Sequence, residues 1–158
     1  MPFRPLALPD TCPGHLWLHA MPARLESWSA FLDLAREYAL VRVVCLNPLE
    51  EVARISPAYH KAICEGRLPF RWQHLPMRDY GVGTDPLVFR QGVEHIVDGL
   101  RLGESILLHC AHGMGRTGTV AACVLKALGR SSEAALQAVR AAGSNPQSAV
   151  QSGWIEQF

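Results

Sequence analysis

The chain has 158 residues, 49% of them hydrophobic and 18% charged, with a formal net charge of +1. That length suits one domain with a full core, and that composition belongs to a globular protein rather than a disordered one. The near-neutral balance gives no global attraction to nucleic acid or an anionic membrane, and no apolar run approaches the ~20 residues that cross a bilayer.

The opening MPFRPLALPD carries prolines at 2, 5 and 9 and lacks the apolar core of a secretory signal, so residues 1–13 are expected to be extended. HLWLHA, from His15 to Ala20, reads as a short strand between Pro13-Gly14 and Pro22. From Arg24 to Leu40 the apolar residues Leu25, Trp28, Leu32, Ala35 and Tyr38 recur at helical spacing. VRVVCL, from Val41 to Leu46, is β-branched and apolar and predicts a buried strand ended by Asn47-Pro48. The stretch from Leu49 to Gly66 is helical in composition, but Pro57 cuts it into two short helices. FRWQHL, from Phe70 to Leu75, alternates like a strand, and MRDYGVGTDP after it is loop chemistry.

Phe89, Val93, Ile96, Val97 and Leu100 mark a helix stopped by Gly103. SILLHC, from Ser105 to Cys110, is a continuously apolar strand, and a helix follows from about Arg116 to Leu128. SSEAALQAVRAA opens on serine caps and is helical, and residues 149–158 form a last helix. Strands alternating with helices give βαβ units. The expected architecture is one α/β domain over 1–158, a central, mostly parallel sheet flanked by helices. Such sheets bind ligands at the carboxyl ends of their strands, and Cys110 stands at one. Trp28, Tyr38 and Trp72 are expected in the core.

The five cysteines (Cys12, Cys45, Cys64, Cys110, Cys123) are odd in number and include no Cys-x-x-Cys pair. This argues against a disulfide framework or a zinc knuckle and for a reducing compartment, with the cytoplasm expected. His60 and Cys64 fall at i, i+4, but two ligands make no metal site.

The stretch LLHCAHGMGRTGTVAACV, from Leu107 to Val124, admits two chemistries. Gly113, Gly115 and Gly118 match the Gly-x-Gly-x-x-Gly dinucleotide fingerprint, and a strand precedes and a helix follows as that pattern requires. It also requires a second strand ending in an acid ~20 residues on, whereas the chain here stays helical. The lysine of a Gly-x4-Gly-Lys-Ser/Thr phosphate loop is absent as well. The remaining reading uses every unusual residue. From Ala111 through His112, Gly113, Met114 and Gly115 to Arg116, backbone amides can curl around one anion at a helix N-terminus, where the dipole favours negative charge. Arg116 offers a planar fork for two phosphate oxygens. The same field favours the thiolate of Cys110, a nucleophile that would form a cysteinyl-phosphate for water to hydrolyse. Arg116 and the amides supply the positive charge, so neither metal nor cofactor is called for.

His109-Cys110-x5-Arg116-Thr117-Gly118 resembles the signature loop of the cysteine-dependent protein tyrosine phosphatases, and CAHGMGRTG is similar to the compact dual-specificity branch (kinase-associated and atypical enzymes). The resemblance implies Cys110 as nucleophile, Arg116 as phosphate clamp, Thr117 supporting the departing thiolate, and His109 orienting the loop through a backbone hydrogen bond. Phosphate monoester cleavage also needs a proton for the leaving oxygen. The family carries an aspartate about thirty residues before its cysteine, and Asp79, in MRDYGVG, stands thirty-one before Cys110. Asp85, just before Pro86 and a helix, reads as a cap instead. The segment from Ala149 to Phe158 resembles the family's glutamine loop, with Gln151 as the water-positioning residue and Gln147 close by. His112 is expected to point outward.

The implied substrate is a phosphorylated protein or peptide, with no nucleic-acid or membrane partner. Inositol phosphates and phosphoinositides are the alternative, and a silent phosphate-binding module is the alternative of another class. The lysines that lipid-directed relatives often carry in this loop are absent at Ala111, His112 and Met114. Cys45 or Cys123 is also considered as a disulfide partner for an oxidised Cys110.

Overall fold

The computed structural model describes residues 2–78 and 85–158. Five strands form one sheet: β1 (Arg4–Pro5), β2 (His15–His19), β3 (Arg42–Cys45), β4 (Arg71–His74) and β5 (Ser105–His109), in the order β1-β2-β5-β3-β4. The last four run parallel and only β1 is antiparallel, pairing Arg4 with Leu18. Seven helices flank the sheet among the described residues: α1 (Trp28–Glu37), α2 (Leu49–Ile55), α3 (Pro57–Cys64), α4 (Pro86–Arg101), α5 (Gly115–Ala127), α6 (Ser132–Ala141) and α7 (Ala149–Gln157). No helix among the described residues is long and apolar enough to cross a membrane.

The period-2 alternation of strand side chains divides the core. Leu16, Leu18, Val44, Leu46, Ile106, Leu108 and Cys110 pack on one face against α4 and α5. Val43 and Leu107 face the other way, onto Phe31 and Ala35 of α1 and onto Phe3. Beside them Cys45 packs with Met21, Val52 and Tyr59. Each fully buried aliphatic contributes roughly 1.5–3 kcal/mol, so the sheet's two faces hold β5 firmly in the middle. Trp28, Tyr38 and Trp72, expected in the core, are instead partly buried and pack against these clusters.

The expected elements form, with two differences. The helix predicted from Arg24 begins at Trp28, because Ser27 takes the N-cap and its side chain accepts from the Ala30 amide. Leu25, counted into that helix by its spacing, is 72% exposed. The stretch before it is a structured turn instead. Ala23 sits at φ +65°, its amide donates to Glu26 Oε2 at 3.0 Å, and Glu26 Oε1 lies 2.7 Å from His19 Nε2. The other difference is β1, which pairs within the stretch expected only to be extended.

Candidate active site

A parallel sheet brings the carboxyl ends of its strands to one rim, and the register puts His19, His109, Cys45 and His74 in one row there. One residue beyond that row the chain leaves β5 at Cys110, turns through residues 111–114 and enters α5. Every residue of α5 from Gly115 through Leu125 is buried. Gly113 adopts φ +74°, and a Cβ there would stand 2.6 Å from the His19 carbonyl oxygen, so the turn needs a residue without one. The amides of Ala111, His112 and Met114 make no hydrogen bond among the described residues.

Cys110 is buried, and Thr117 Oγ1, in the first turn of α5, donates to its Sγ at 3.1 Å. The Arg116 side chain is only 1% exposed and is held in a planar grip. Its Nη1 donates to Glu51 Oε2 at 2.9 Å and to the Met77 carbonyl at 3.1 Å, while Nη2 donates to Glu51 Oε1 at 2.8 Å. The Arg116 hydrogen bonds hold the Glu51 carboxyl below the usual carboxylate range, and burial opposes them. Sequence reasoning did not find Glu51. Its one signal is position: α2 leaves the rim just after β3, the strand beside β5, and Glu50 and Glu51 fill its first turn.

His109 is buried with both ring nitrogens engaged. The Cys110 carbonyl beside Nδ1 only accepts and the buried ring is neutral, so Nε2 accepts from the Tyr59 phenol at 2.9 Å, while Trp72 Nε1 donates to the same phenol oxygen at 2.9 Å. Nδ1 therefore carries the proton and donates to the Cys110 carbonyl at 3.2 Å, the backbone contact expected of His109. Burial pushes the His109 imidazole down to about 3, so the ring is neutral at working pH.

The next carbonyl along, that of Ala111, accepts from the Met21 amide at 3.2 Å and from Arg24 Nη1 at 2.8 Å. Arg24 Nη1 also lies 2.6 Å from Nδ1 of His112, whose ring is exposed as expected. Gln151 is fully buried, caps the Gln147 amide through Oε1 at 2.8 Å, and stands with Gln147 Oε1 where a Gly115 Cβ would project. The structure thus brings Cys110, Thr117, Arg116, His109, Gln151 and the turn 111–115 together. Asp79 lies outside the described residues. Asp85 caps α4, accepting from the Leu87 amide at 2.9 Å, as its place before Pro86 led one to expect.

The two thiols considered as partners for an oxidised Cys110 are both buried. Cys45 shares a face with Tyr59, opposite the face that Cys110 joins. Cys123, on α5, belongs to the same buried cluster as Cys110. Burial pushes both thiols up to about 12, so neither is the thiolate that such capping requires. His60 and Cys64 lie on the exposed face of α3, and among the described residues no three His, Cys, Asp or Glu side chains gather.

Residues 13–152 match the family model described as PTP-SAK, Swiss Army Knife protein, DSP-PTPase phosphatase domain. Protein 067L of Invertebrate iridescent virus 3, which carries a tyrosine phosphatase name, is 37% identical over 79 residues. That match takes in 48% of this chain and 30% of the viral protein, so the chain corresponds to less than a third of that relative's length. Among solved structures, kinase associated phosphatase with its catalytic-site cysteine changed to serine superposes with a TM-score of 0.86 at 20% identity, covering 99% of this chain and 92% of that one. Human tyrosine phosphatase-like serine/threonine/tyrosine-interacting protein gives 0.72 at 19% identity over 94% and 92%. These likenesses, at such identities, establish the fold.

Proposed function

The chain belongs to the DSP-PTPase phosphatase domain family, and from that premise we propose that residues 1–158 form one phosphatase domain hydrolysing phosphomonoesters on proteins or peptides through a cysteinyl-phosphate. The observation that carries the reading is the bond from Thr117 Oγ1 to Cys110 Sγ. A thiol sulfur is a weak acceptor, so a buried hydroxyl spent on it has its use when the sulfur carries charge.

The Cys110 thiolate attacks phosphorus, the S–P bond forms and the bond to the leaving oxygen breaks. Asp79 gives its proton to that oxygen. In the second step water attacks the phosphorus, Asp79 takes the water's proton, Gln151 positions the water, and Thr117 stabilises the departing thiolate. The edge of Arg116 held by Glu51 fixes the plane of the guanidinium. The adjoining edge, Nε with Nη2, is the fork that would meet two phosphoryl oxygens, and the amides of residues 111–116 surround the third. His109 stays neutral and holds the loop through the Cys110 carbonyl. The rim residue Arg24 gives the mouth a modest positive character suited to a phosphopeptide, without the loop lysines of a polyphosphate site. Five free cysteines agree with a reducing, cytoplasmic setting.

The test is turnover of p-nitrophenyl phosphate and a phosphopeptide panel set against inositol phosphates. Activity should resist chelator, vanish in Cys110→Ser and leave a trappable phosphoenzyme on Cys110. Binding of phosphopeptide without turnover, or turnover that survives Cys110→Ser, overturns the reading.

A further inference from the structure

We propose that Arg4, on the two-residue strand β1, is a positioning residue of the phosphate cradle: by gripping the Gly113 carbonyl from outside, it aims the Met114 amide at the bound phosphoryl group. The proposal rests on the phosphatase reading above and adds a second arginine, distant in sequence from the signature loop.

Arg4 Nη2 donates to the Gly113 carbonyl at 2.6 Å. Its Nη1 donates to the Ala142 carbonyl at 2.8 Å and to Ser144 Oγ at 2.9 Å. Ser144 Oγ, itself buried, donates to the same Gly113 oxygen at 2.6 Å. One loop carbonyl therefore holds two donors, one of them charged, and the guanidinium that supplies the charge is anchored at the end of α6. Antiparallel pairing with Leu18 sets where Arg4 starts from, beside the strand that borders β5.

A trans peptide unit is planar, and its C=O and N–H point in opposite directions. Fixing the Gly113 oxygen on Arg4 and Ser144 behind the turn therefore turns the Met114 N–H to the other side, into the concave face. The loop repeats this device. The Cys110 carbonyl is held by His109 and turns the Ala111 amide, and the Ala111 carbonyl is held by Met21 and Arg24 and turns the His112 amide. The three amides so turned make no other bond among the described residues. Of the three carbonyl clamps, the one at Gly113 is the only one with two charged or hydroxyl side-chain donors.

The charge itself contributes. Burial lowers the Arg4 guanidinium from its ordinary value and the nearby Cys110 sulfur pushes it back up, so the two groups lie in each other's field. A fixed cation behind the turn favours both a thiolate and a phosphoryl dianion in front of it.

The experiment compares wild type with Arg4→Met, which keeps the stem and removes donors and charge, and with Arg4→Lys and Ser144→Ala. Each is read for kcat and KM on p-nitrophenyl phosphate, affinity for inorganic phosphate, the pH midpoint of Cys110 alkylation by iodoacetate, and thermal midpoint. Losing a support of this kind should cost about tenfold to a hundredfold in kcat. Arg4→Met should show that loss, weaker phosphate binding and an alkylation midpoint moved to higher pH. Arg4→Lys should recover the midpoint better than kcat, because an ammonium keeps the charge without the fork. Arg4→Met within twofold of wild type in kcat, phosphate affinity and midpoint, whatever its melting temperature, overturns the proposal. If Arg4→Met does not fold, Ser144→Ala decides by the same readouts: a fall in kcat and phosphate affinity supports it and wild-type values overturn it. Should wild type bind phosphate without turnover, the phosphatase reading falls, and the phosphate affinity of Arg4→Met still decides this one.

Discussion

Replacing Glu51 by glutamine tests how far the clamp depends on a residue outside the signature. The carboxylate meets Arg116 through two contacts of 2.8 and 2.9 Å. Unit charges ~3 Å apart attract by about 5–6 kcal/mol at an effective dielectric of ~20, most of it offset by desolvation. Removing one partner of a buried pair nonetheless costs about 3–5 kcal/mol, because the other charge is left uncompensated. The Glu51 side chain is 13% exposed, so water softens the loss and the lower end applies, about 3 kcal/mol. For a chain of this length that is a fall of about 6–12 °C in thermal midpoint.

Glutamine also turns an NH2 toward one of the guanidinium donors, which swings the fork out of plane. The expected loss in kcat/KM is about tenfold to a hundredfold, or ~1.4–2.8 kcal/mol, carried by kcat. The pH dependence has a fixed sign. Glu51 is held below its unfolded value of ~4.3, so its contribution is full above that pH and is lost as pH falls through the folded value. Urea melts should therefore show a smaller loss of stability below ~4.3 in Glu51→Gln than in wild type. Steady-state kinetics on p-nitrophenyl phosphate with melts at several pH values measures all three. A variant that melts earlier yet keeps kcat/KM within twofold would show that Glu51 braces the fold and does not set the Arg116 plane.

Thr117→Val should keep shape and remove the donor to Cys110, slowing breakdown of the phosphoenzyme, so kcat and KM fall together and a burst appears; a KM rise alone refutes this. Tyr59→Phe strands the Trp72 donor and the His109 acceptor, each at ~1–3 kcal/mol, and should lower the thermal midpoint by several degrees at least; an unchanged midpoint refutes the relay. Nitrogen-15 spectra at pH 5 should show His109 neutral with the proton on Nδ1, and a charged ring there would refute the burial argument. Because its folded value of about 3 lies below the unfolded ~6.5, the His109 contribution to stability is full above ~6.5 and declines as pH falls toward about 3. Gly113→Ala meets the His19 carbonyl at 2.6 Å and a φ of +74°, and should destabilise the fold by more than ~2 kcal/mol in urea melts; wild-type stability would show that the turn relaxes.

Cys110, Arg116 and Thr117 were legible as one cluster because they are local: a strand end, a tight turn and a helix start are contiguous, so the grouping is written in nine consecutive residues. Gln151 was legible by resemblance, and Ser148 capping the Gln151 amide explains why the tail turns helical where it does. Glu51 and Arg4 were not legible. Each reaches the loop across the sheet, and each looks ordinary in its own segment, one an acid in a first helical turn, the other a basic residue between prolines. The start of α1 was misjudged because Leu25 falls on the helical period although its side chain lies in water. Period alone cannot tell a buried face from a turn whose Glu26 carboxylate binds its own backbone at Ala23.

The burial of α5 along eleven successive residues has a consequence for how such a chain can change its preferences. A rod enclosed on all sides offers no room to slide, so the turn at its head, where the proposed reading places the phosphoryl group, rests on a fixed support. On the proposed reading, and among the described residues, discrimination between substrates falls to parts that meet water, the turn bearing Arg24 and Leu25 and the imidazole of His112. Substitutions there can redirect the enzyme at little cost to folding, whereas those beneath the pocket endanger both at once.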